Sequence, residues 1–203
     1  MVHQKPLTPR KQTTQARAAK TVESILEAAA RILEDVGVEG YTTNSIAEKA
    51  GVSIGSLYQY FPNKDAITIA LIDRESSLLL AEVLASAAMP DWRLALAGMV
   101  KAGVAHQLRR PKLAYFLDVE EGRLRGRMID FKIVKIIHQK IVENLEKSKI
   151  DFGEKELVIA FDIIAITRGM TDMAGSLGET DVSALLRRVQ RALFRYIRVD
   201  LAY

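Results

Sequence analysis

The chain lacks cysteine altogether, which excludes disulfide bridges and thiolate metal sites. Proline and glycine are sparse, with five and twelve among 203 residues, and this argues against a loop-rich β protein. No stretch reaches the roughly 18 apolar residues that a membrane-spanning helix needs, because Asp162 interrupts the most apolar run, Leu157 to Ile166. The start of the chain has no apolar signal-peptide core. We therefore expect a soluble, cytoplasmic protein without a membrane partner.

Acidic residues are also missing from the first twenty positions, which carry five basic ones. A basic start of this kind is typical of proteins that bind a polyanion. It also resembles an organelle transit peptide, but it continues into a helical pattern without a stretch like a cleavage site. Pro6 and Pro9 lie among polar residues, so residues 1–16 are expected to form a flexible basic arm.

Apolar residues recur at helical spacing from Thr21 to the end of the chain, and no segment alternates like a strand. Gly51 and Pro62 separate two short helices from each other and from a longer helix that begins near Lys64. The fold class is therefore all-α, with a small N-terminal unit and a larger C-terminal one. Beyond the first helix, the helices are predicted at about 43–50, 54–60, 64–86, 92–108, 112–120, 128–148, 155–176 and 182–199.

The two short helices form a helix-turn-helix pattern in residues 42–61, TTNSIAEKAGVSIGSLYQYF. Gly51 can adopt the left-handed backbone of a tight turn, and Ala47 is small where the helices must cross. Ile46 and Leu57 supply shared apolar contact. In this arrangement the second helix enters the major groove of DNA.

The longer stretch TTNSIAEKAGVSIGSLYQYFPNKDAI, residues 42–67, resembles the DNA-binding signature of TetR-type (TetR/AcrR-like) transcriptional repressors. The Ile-Ala pair, the Ala-Gly-Val-Ser turn, Leu-Tyr-x-x-Phe and the following lysine occur in the family's order. Residues 20–68 match closely, whereas the rest matches in length and helical character only. The resemblance implies a three-helix DNA-binding domain at 17–68, a ligand-binding and dimerisation domain at 69–203, a homodimer, an operator and a small-molecule inducer.

The second short helix and the residue after it contain three aromatic residues, Tyr58, Tyr60 and Phe61, whose spacing assigns them to different sides. Leu57 and Phe61 are four residues apart and should face the core, whereas Tyr58 and Tyr60 point elsewhere. The resemblance implies that both tyrosines contact phosphates, although Tyr60 could instead pack beside Phe61. Gln59 can pair with the N6/N7 edge of adenine. The predicted DNA-binding residues are Thr43, Asn44, Ser53, Ile54, Gly55, Ser56, Tyr58, Gln59, Tyr60 and Lys64.

Other members of this set have their own chemical reasons. Thr43 and Asn44 open a helix, where free backbone N–H groups favour a phosphate. Gly55 permits close approach to the groove, and Lys64 adds a positive charge. Ile54 occupies a position where many relatives carry a polar or basic residue, and this difference favours an apolar contact such as a thymine methyl.

Catalytic and metal-binding patterns are not found. His3, His106 and His138 lie far apart, without the spacing of metal ligands. The sequence has no phosphate-binding loop and no Gly-x-Ser-x-Gly elbow. We therefore expect no enzyme activity, no cofactor and no metal.

The C-terminal unit holds residues of the kind that line ligand pockets, where apolar and aromatic side chains surround a few polar groups. Arg168 follows the apolar run and needs a partner, either an acidic ligand or Asp172 one turn on. A small apolar or amphipathic effector is expected inside residues 92–176. The candidate lining residues are His106, Tyr115, Phe116, Phe131, His138, Arg168, Met170 and Met173.

Two late helices suggest an interface between two copies of the chain. The run Leu157 to Ile166 is apolar nearly all round and must be covered on more than one side. The last helix has an apolar face opposite a stripe formed by Arg187, Arg191, Arg195 and Arg198, whose simpler interpretation is a solvated face. A homodimer through the helices near 155–176 and 182–199 is therefore expected.

Three functions remain open at this point. The first is a repressor that a small-molecule inducer releases from double-stranded operator DNA. The second is a constitutive or architectural DNA-binding protein without an inducer. The third is a helical ligand-binding or catalytic protein that only resembles a regulator. A ligand that weakens operator binding separates the first two, and a need for residues 42–61 in specific DNA binding excludes the third.

Overall fold

The structure, a computed structural model, describes residues 10–124 and 132–197. Within these ranges all regular elements are helical, which confirms the predicted all-α class. None of the described helices is both long and apolar enough to span a membrane. The helices are α1 (Arg10–Asp35), α2 (Thr43–Ala50), α3 (Ile54–Tyr60), α4 (Lys64–Ala87), α5 (Trp92–Arg109), α6 (Pro111–Leu124), α7 (Lys132–Ser148), α8 (Glu156–Ser176) and α9 (Val182–Tyr196).

The chain divides into two compact units, Met1–Leu71 and Ile72–Tyr203. The boundary predicted after residue 68 lies three residues before this division. Helix α4 begins in the first unit and continues into the second.

Helix α1 begins at Arg10, inside the segment predicted to be a flexible arm. The prediction is therefore wrong for residues 10–16, which are helical, and residues 1–9 lie outside the described residues. From Arg10 to Asp35 the sequence contains no glycine or proline, so nothing interrupts the helix. Pro9 directly precedes its first turn, where a proline is tolerated.

The core of the N-terminal unit forms where α1 packs against α2 and α2 against α3. Ile25, Ile46 and Leu57 are fully buried. Phe61, four residues after Leu57, is also buried, as its spacing predicts. Tyr41 is also buried, and its hydroxyl lies 3.1 Å from Thr68 Oγ1.

Local hydrogen bonds define both short helices. Thr42 caps α2, because its side chain accepts from the backbone N–H of Ser45 while Ser45 Oγ accepts from that of Thr42. Gly51 ends α2 with φ 69°, the left-handed backbone that the turn was predicted to require. Ser53 then caps α3. These polar residues thus define the helix ends through hydrogen bonds within the chain itself.

In the C-terminal unit, α5 occupies the centre and contacts α6, α7, α8 and α9. Leu96 and Val100 of α5 pack in one apolar core with Leu145, Ile163 and Leu193 of the later helices. The apolar face of α9 is buried in this core.

Some helix ends differ from the predicted ones. Helix α6 continues to Leu124 rather than ending near residue 120, because Leu124 is buried and extends the apolar face begun by Leu113 and Leu117. Helix α9 ends at Tyr196. The predicted helical residues 128–131 and 198–199 lie outside the described residues.

Candidate functional site

Helix α3 separates buried from exposed side chains. Leu57 is fully buried, whereas Tyr58 on the next position is 50% exposed and Gln59 is also exposed. Ile54 and Gly55 lie in the exposed first turn of the same helix. The short α3 is therefore anchored by one side while its other residues remain available to a partner.

Two hydroxyl groups meet where α2 and α3 come together. Thr43 Oγ1 lies 3.3 Å from the hydroxyl oxygen of Tyr58. Thr43 is half-buried in the first turn of α2, and Asn44 beside it is exposed. This turn has free backbone N–H groups, so the two hydroxyls and the helix start together suit an anionic oxygen.

The remaining residues of the predicted DNA-binding set have different surroundings. Ser53 Oγ accepts from the backbone N–H of Ser56 at 3.1 Å and donates to Ser56 Oγ at 2.9 Å, so both serines already serve the α3 turn. Tyr60 is 37% exposed. Lys64 is exposed, with its Nζ 5.6 Å from the centroid of the Tyr41 ring.

A cavity of about 240 Å³ lies within the C-terminal unit. Residues from α4, α5, α6, α7 and α8 line it. Most of the lining is aliphatic, with Leu79 and Val83 from α4, Val100 from α5, and Ile137 and Ile141 from α7. Its volume approaches the range of small-molecule pockets, which begins at about 300 Å³.

Arg168 lines the cavity together with the carboxylates of α6. Its Nη2 lies 2.5 Å from Asp118 Oδ1 and 3.3 Å from Glu121 Oε2, and its Nε lies 3.7 Å from Asp172 Oδ2. The predicted partner Asp172 is therefore present, but it is the most distant of three. Burial, with a further contribution from Asp118, raises the pKa of Asp172 to about 6.

His106 and Thr167 also line the cavity, from α5 and α8. His106 Nδ1 and Thr167 Oγ1 are both buried, and neither has a hydrogen-bond partner within the described residues. Burial lowers the pKa of His106 below its ordinary value of 6.5, so the imidazole is neutral at neutral pH. A neutral imidazole has one donor and one acceptor nitrogen.

The other predicted ligand-binding residues are placed elsewhere. Tyr115 lines a separate surface pocket with Asp172. His138 Nε2 lies 2.9 Å from the carbonyl oxygen of Leu157, and its ring stacks on Phe161. Phe116, Met170 and Met173 lie outside the cavity lining. Phe131 lies outside the described residues.

Sequence reasoning missed the aliphatic residues that form much of the cavity. Ile133, Ile137 and Ile141 of α7 recur every fourth residue and all line it. This spacing is a visible signal of one helix face, but it does not distinguish a cavity wall from a filled core. Within the described residues, no group of three or more acidic or histidine side chains is placed to hold a metal ion.

A family model described as "Bacterial regulatory proteins, tetR family" matches residues 25–71, which include α2, α3 and the start of α4. Residues 25–71 are therefore similar to the TetR family, and this similarity supports a TetR-type regulator. The match ends at the last residue of the N-terminal unit. This description, together with a tetracycline repressor among the curated relatives, supports a regulator rather than an enzyme.

Curated relatives are similar in sequence to this chain over segments of different length. The A-factor receptor protein of Streptomyces griseus is 41% identical over 63 residues, or 31% of this chain and 23% of that protein. Tetracycline repressor protein class C of Escherichia coli is 37% identical over 94 residues, covering 46% of this chain and 40% of the repressor. The aligned segments thus span less than half the length of these two relatives. The transcriptional repressor AcnR of Corynebacterium diphtheriae is 24% identical over 169 residues, covering 78% of this chain and 83% of AcnR.

Solved structures extend the likeness to the C-terminal unit. The fatty acid degradation regulator FadR from Bacillus halodurans has a TM-score of 0.74 at 20% identity, covering 85% of this chain and 94% of that one. A TetR-like transcriptional regulator from Rhodococcus sp. RHA1 has a TM-score of 0.64 at 22% identity, covering 89% of this chain and 97% of that one. At these identities the likeness concerns the fold alone.

Proposed function

We propose that this protein is a transcriptional repressor that binds double-stranded operator DNA as a homodimer and leaves it when a small molecule occupies the C-terminal cavity. The observation that carries DNA binding is the division of α3, which buries Leu57 and leaves Tyr58 and Gln59 exposed. A helix held in this way can enter the major groove with its exposed side chains toward the bases.

Within this interface, Gln59 reads a base and the tyrosines position the helix. The amide of Gln59 matches the N6/N7 edge of adenine. The Tyr58 hydroxyl, with Thr43 beside it, donates to a phosphate oxygen. Tyr60 is two positions further along and points to another side of α3. It therefore contacts a different part of the DNA backbone.

Basic residues of α1 add a sequence-independent contribution. Arg17 and Lys20 are exposed, and no acidic residue precedes them in the chain. Each phosphate that such residues neutralise contributes about 0.9 to the slope of log affinity against log salt concentration. The basic start of the chain thus favours a polyanion over a neutral partner.

The dimer is supported by a row of exposed residues along α8, spaced four apart and without charge. The row consists of Leu157, Phe161, Ala165, Gly169 and Met173. Ile159 and Ile163 on the opposite side of α8 are buried in the unit's own core. A second copy of the chain can cover the row, since a two-fold interface uses the same patch on both chains. The exposed face of α9 carries Arg187, Arg191 and Arg195 instead, and forms the polar rim.

Release from DNA requires a ligand that prefers one of two conformations, because equal affinity for both shifts nothing. Helix α4 is continuous from the DNA-binding unit into the cavity-bearing unit and can therefore transmit such a conformational change. It begins at Lys64 in the DNA-binding unit, and its residues Ile72, Glu75 and Leu79 line the cavity. Typical coupling energies of about 1–3 kcal/mol would lower operator affinity roughly 5- to 150-fold.

The proposal is tested by selecting binding sites from randomised duplex DNA with the full-length protein. Fluorescence anisotropy then compares the selected duplex with a scrambled one. A preference of about 10³ or more at physiological salt is expected of a specific regulator. Similar affinities for the two duplexes would instead favour the architectural alternative, and binding to neither would exclude both.

A further inference from the structure

The chemistry of the cavity points to a particular class of ligand. Its aliphatic lining includes Leu79 and Val83 of α4, Ile137 and Ile141 of α7, and Ile163 of α8. Such a surface gains most by burying an alkyl or other apolar group. The specificity then depends on the few polar groups among the lining residues and on which of them still lack a partner.

Two arginines of the cavity lining, Arg168 and Arg109, already have carboxylate partners, whereas Asp73 of the same lining is exposed. Arg168 is held by Asp118 at 2.5 Å and by Glu121 at 3.3 Å. Asp118 also accepts from Gln107 Nε2 at 3.1 Å, and Arg109 pairs with Glu82 at 2.6 Å. An anionic ligand would compete with two carboxylates for Arg168. A cationic one would compete with Arg168 for those carboxylates. At these paired groups, neither a full positive nor a full negative charge on the ligand is favoured.

Within the described residues, two buried neutral groups have no hydrogen-bond partner. They are His106 Nδ1 and Thr167 Oγ1, both buried and both on residues that line the cavity. The helices that carry them pack against each other. A Cβ placed on Gly103 would lie 3.4 Å from Thr167 Cγ2, so the methyl group of Thr167 faces α5 one turn before His106.

Thr171 shows that the unpartnered state of Thr167 is not a general property of threonine in α8. Thr171 Oγ1 donates to the carbonyl oxygens of Thr167 and Arg168, each at 2.9 Å. Thr167 Oγ1 makes no comparable bond to its own helix. A buried polar group without a partner costs stability, and a ligand oxygen would remove that cost.

We propose that the cavity binds an uncharged, predominantly apolar molecule carrying a hydroxyl or carbonyl oxygen, and that Thr167 and His106 hydrogen-bond this oxygen. A hydroxyl can donate to one of the two groups and accept from the other, and a carbonyl can accept from both. The role of such a molecule as an inducer rests on the proposed function, whereas its binding does not.

Isothermal titration calorimetry of the full-length protein with three probes that share one alkyl chain tests the ligand class. The probes are octan-1-ol, octanoate and octylammonium, at neutral pH and without DNA. Octan-1-ol should bind saturably and at least about tenfold more tightly than either ion, because burying a charge without a free counter-charge is unfavourable. Tighter binding of either ion, or no saturable binding of octan-1-ol, overturns the proposal.

A matched pair of variants tests the assigned oxygen contact. Thr167→Val removes the unpartnered hydroxyl and should weaken octan-1-ol binding roughly three- to tenfold, the range of one neutral hydrogen bond. Thr171 also lines the cavity, but its hydroxyl is already bonded to the helix, so Thr171→Val should have the smaller effect on the affinity. Equal effects of the two variants, or none from either, contradict the assignment of Thr167.

The DNA step is measured separately on the selected operator. If octan-1-ol binds but operator affinity stays the same, the ligand class stands and the inducer role fails. If the protein binds no operator at all, the calorimetric result still decides the ligand class.

Discussion

Thr167 and Thr171 lie one turn apart on α8, yet the Thr171 hydroxyl is hydrogen-bonded and the Thr167 hydroxyl has no partner within the described residues. Because burial without a partner costs about 1–3 kcal/mol, Thr167→Val should raise the free energy of unfolding of the ligand-free protein by about 1 kcal/mol. Thr171→Val should lower it by about 0.5–1.5 kcal/mol, since it removes bonds that are made. Urea unfolding followed by circular dichroism measures both. Destabilisation of similar size in the two variants would show that Thr167 is satisfied in solution.

A second prediction concerns the close approach of α4 and α5. A Cβ added to Gly98 would lie 2.9 Å from both Cβ and Oγ of Ser86. Gly98→Ala should therefore destabilise the protein by about 1–3 kcal/mol despite the better helix propensity of alanine. The matched control is Gly122→Ala in α6, where nothing lies within 4 Å of the added Cβ, and a gain of up to about 1 kcal/mol is expected.

Rescue by a second change separates this crowding from other causes. Ser86→Gly removes the atoms that the new Cβ would meet, so the double variant should recover part of the loss, after allowance for the cost of Ser86→Gly alone. Thermal unfolding of the single and double variants gives the coupling energy. Strictly additive effects would show that the α4–α5 approach does not cause the destabilisation.

A third prediction follows from the raised pKa of Asp172, about 6 against an ordinary value of 3.8. The folded protein binds this proton more tightly than the unfolded chain, so stability should fall as pH rises from about 4 to 6. Asp172→Asn carries no charge at any pH. The variant should lack this part of the pH dependence and should be more stable than wild type at pH 7. Because Asp172 is partly exposed, solvent screening reduces the size of the effect.

The measurement is the urea midpoint of wild type and Asp172→Asn at a series of pH values. The two profiles should approach each other toward pH 4 and diverge toward pH 7. Parallel profiles would mean that Arg168 offsets the burial of this carboxylate and that other groups set the pH dependence.

The DNA-binding unit was largely predictable from the sequence because its determinants are local. The Gly51 turn and the burial of Leu57 each depend on neighbours within a few residues, and both are confirmed. Helix α1 begins at Arg10, earlier than predicted, because polar composition and nearby prolines also occur in flexible segments and do not by themselves locate a helix start.

The residues that line the cavity were harder to predict because a cavity depends on helices distant in sequence. The aromatic residues Tyr115 and Phe116 suggested a pocket by residue type, but neither lines the cavity. His138 was suggested for the same reason and instead lies against the Leu157 carbonyl. The two nearer partners of Arg168 lie 47 and 50 positions away in α6, beyond the reach of helical spacing, which indicated only Asp172.

A fourth prediction separates base reading from positioning on the DNA. Gln59→Ala should relax the preference at one base pair in each half-site, at a cost of about 1–3 kcal/mol there. Tyr58→Phe removes only the hydroxyl that lies near Thr43 and should weaken selected and scrambled duplexes alike. Site selection followed by anisotropy distinguishes the two patterns. An unchanged sequence preference in Gln59→Ala would remove Gln59 from the base-reading role.

The last prediction concerns the row on α8 that we propose as the dimer interface. Ala165 is exposed at its centre, with Phe161 and Gly169 one turn to either side. Ala165→Glu keeps a good helix former in place but puts two like charges near each other across a two-fold contact, where an unpaired charge is costly to bury. Light scattering at micromolar concentration should give a dimer for wild type and a monomer for the variant, with unchanged helical content by circular dichroism. Leu94→Glu on α5 is the control, because Leu94 is 63% exposed and lies outside the row, and this variant should remain a dimer. Operator affinity should also fall with Ala165→Glu. The two recognition helices of a dimer contact half-sites about 34–36 Å apart, whereas a monomer contacts only one half-site. A dimeric Ala165→Glu variant would place the interface on another face.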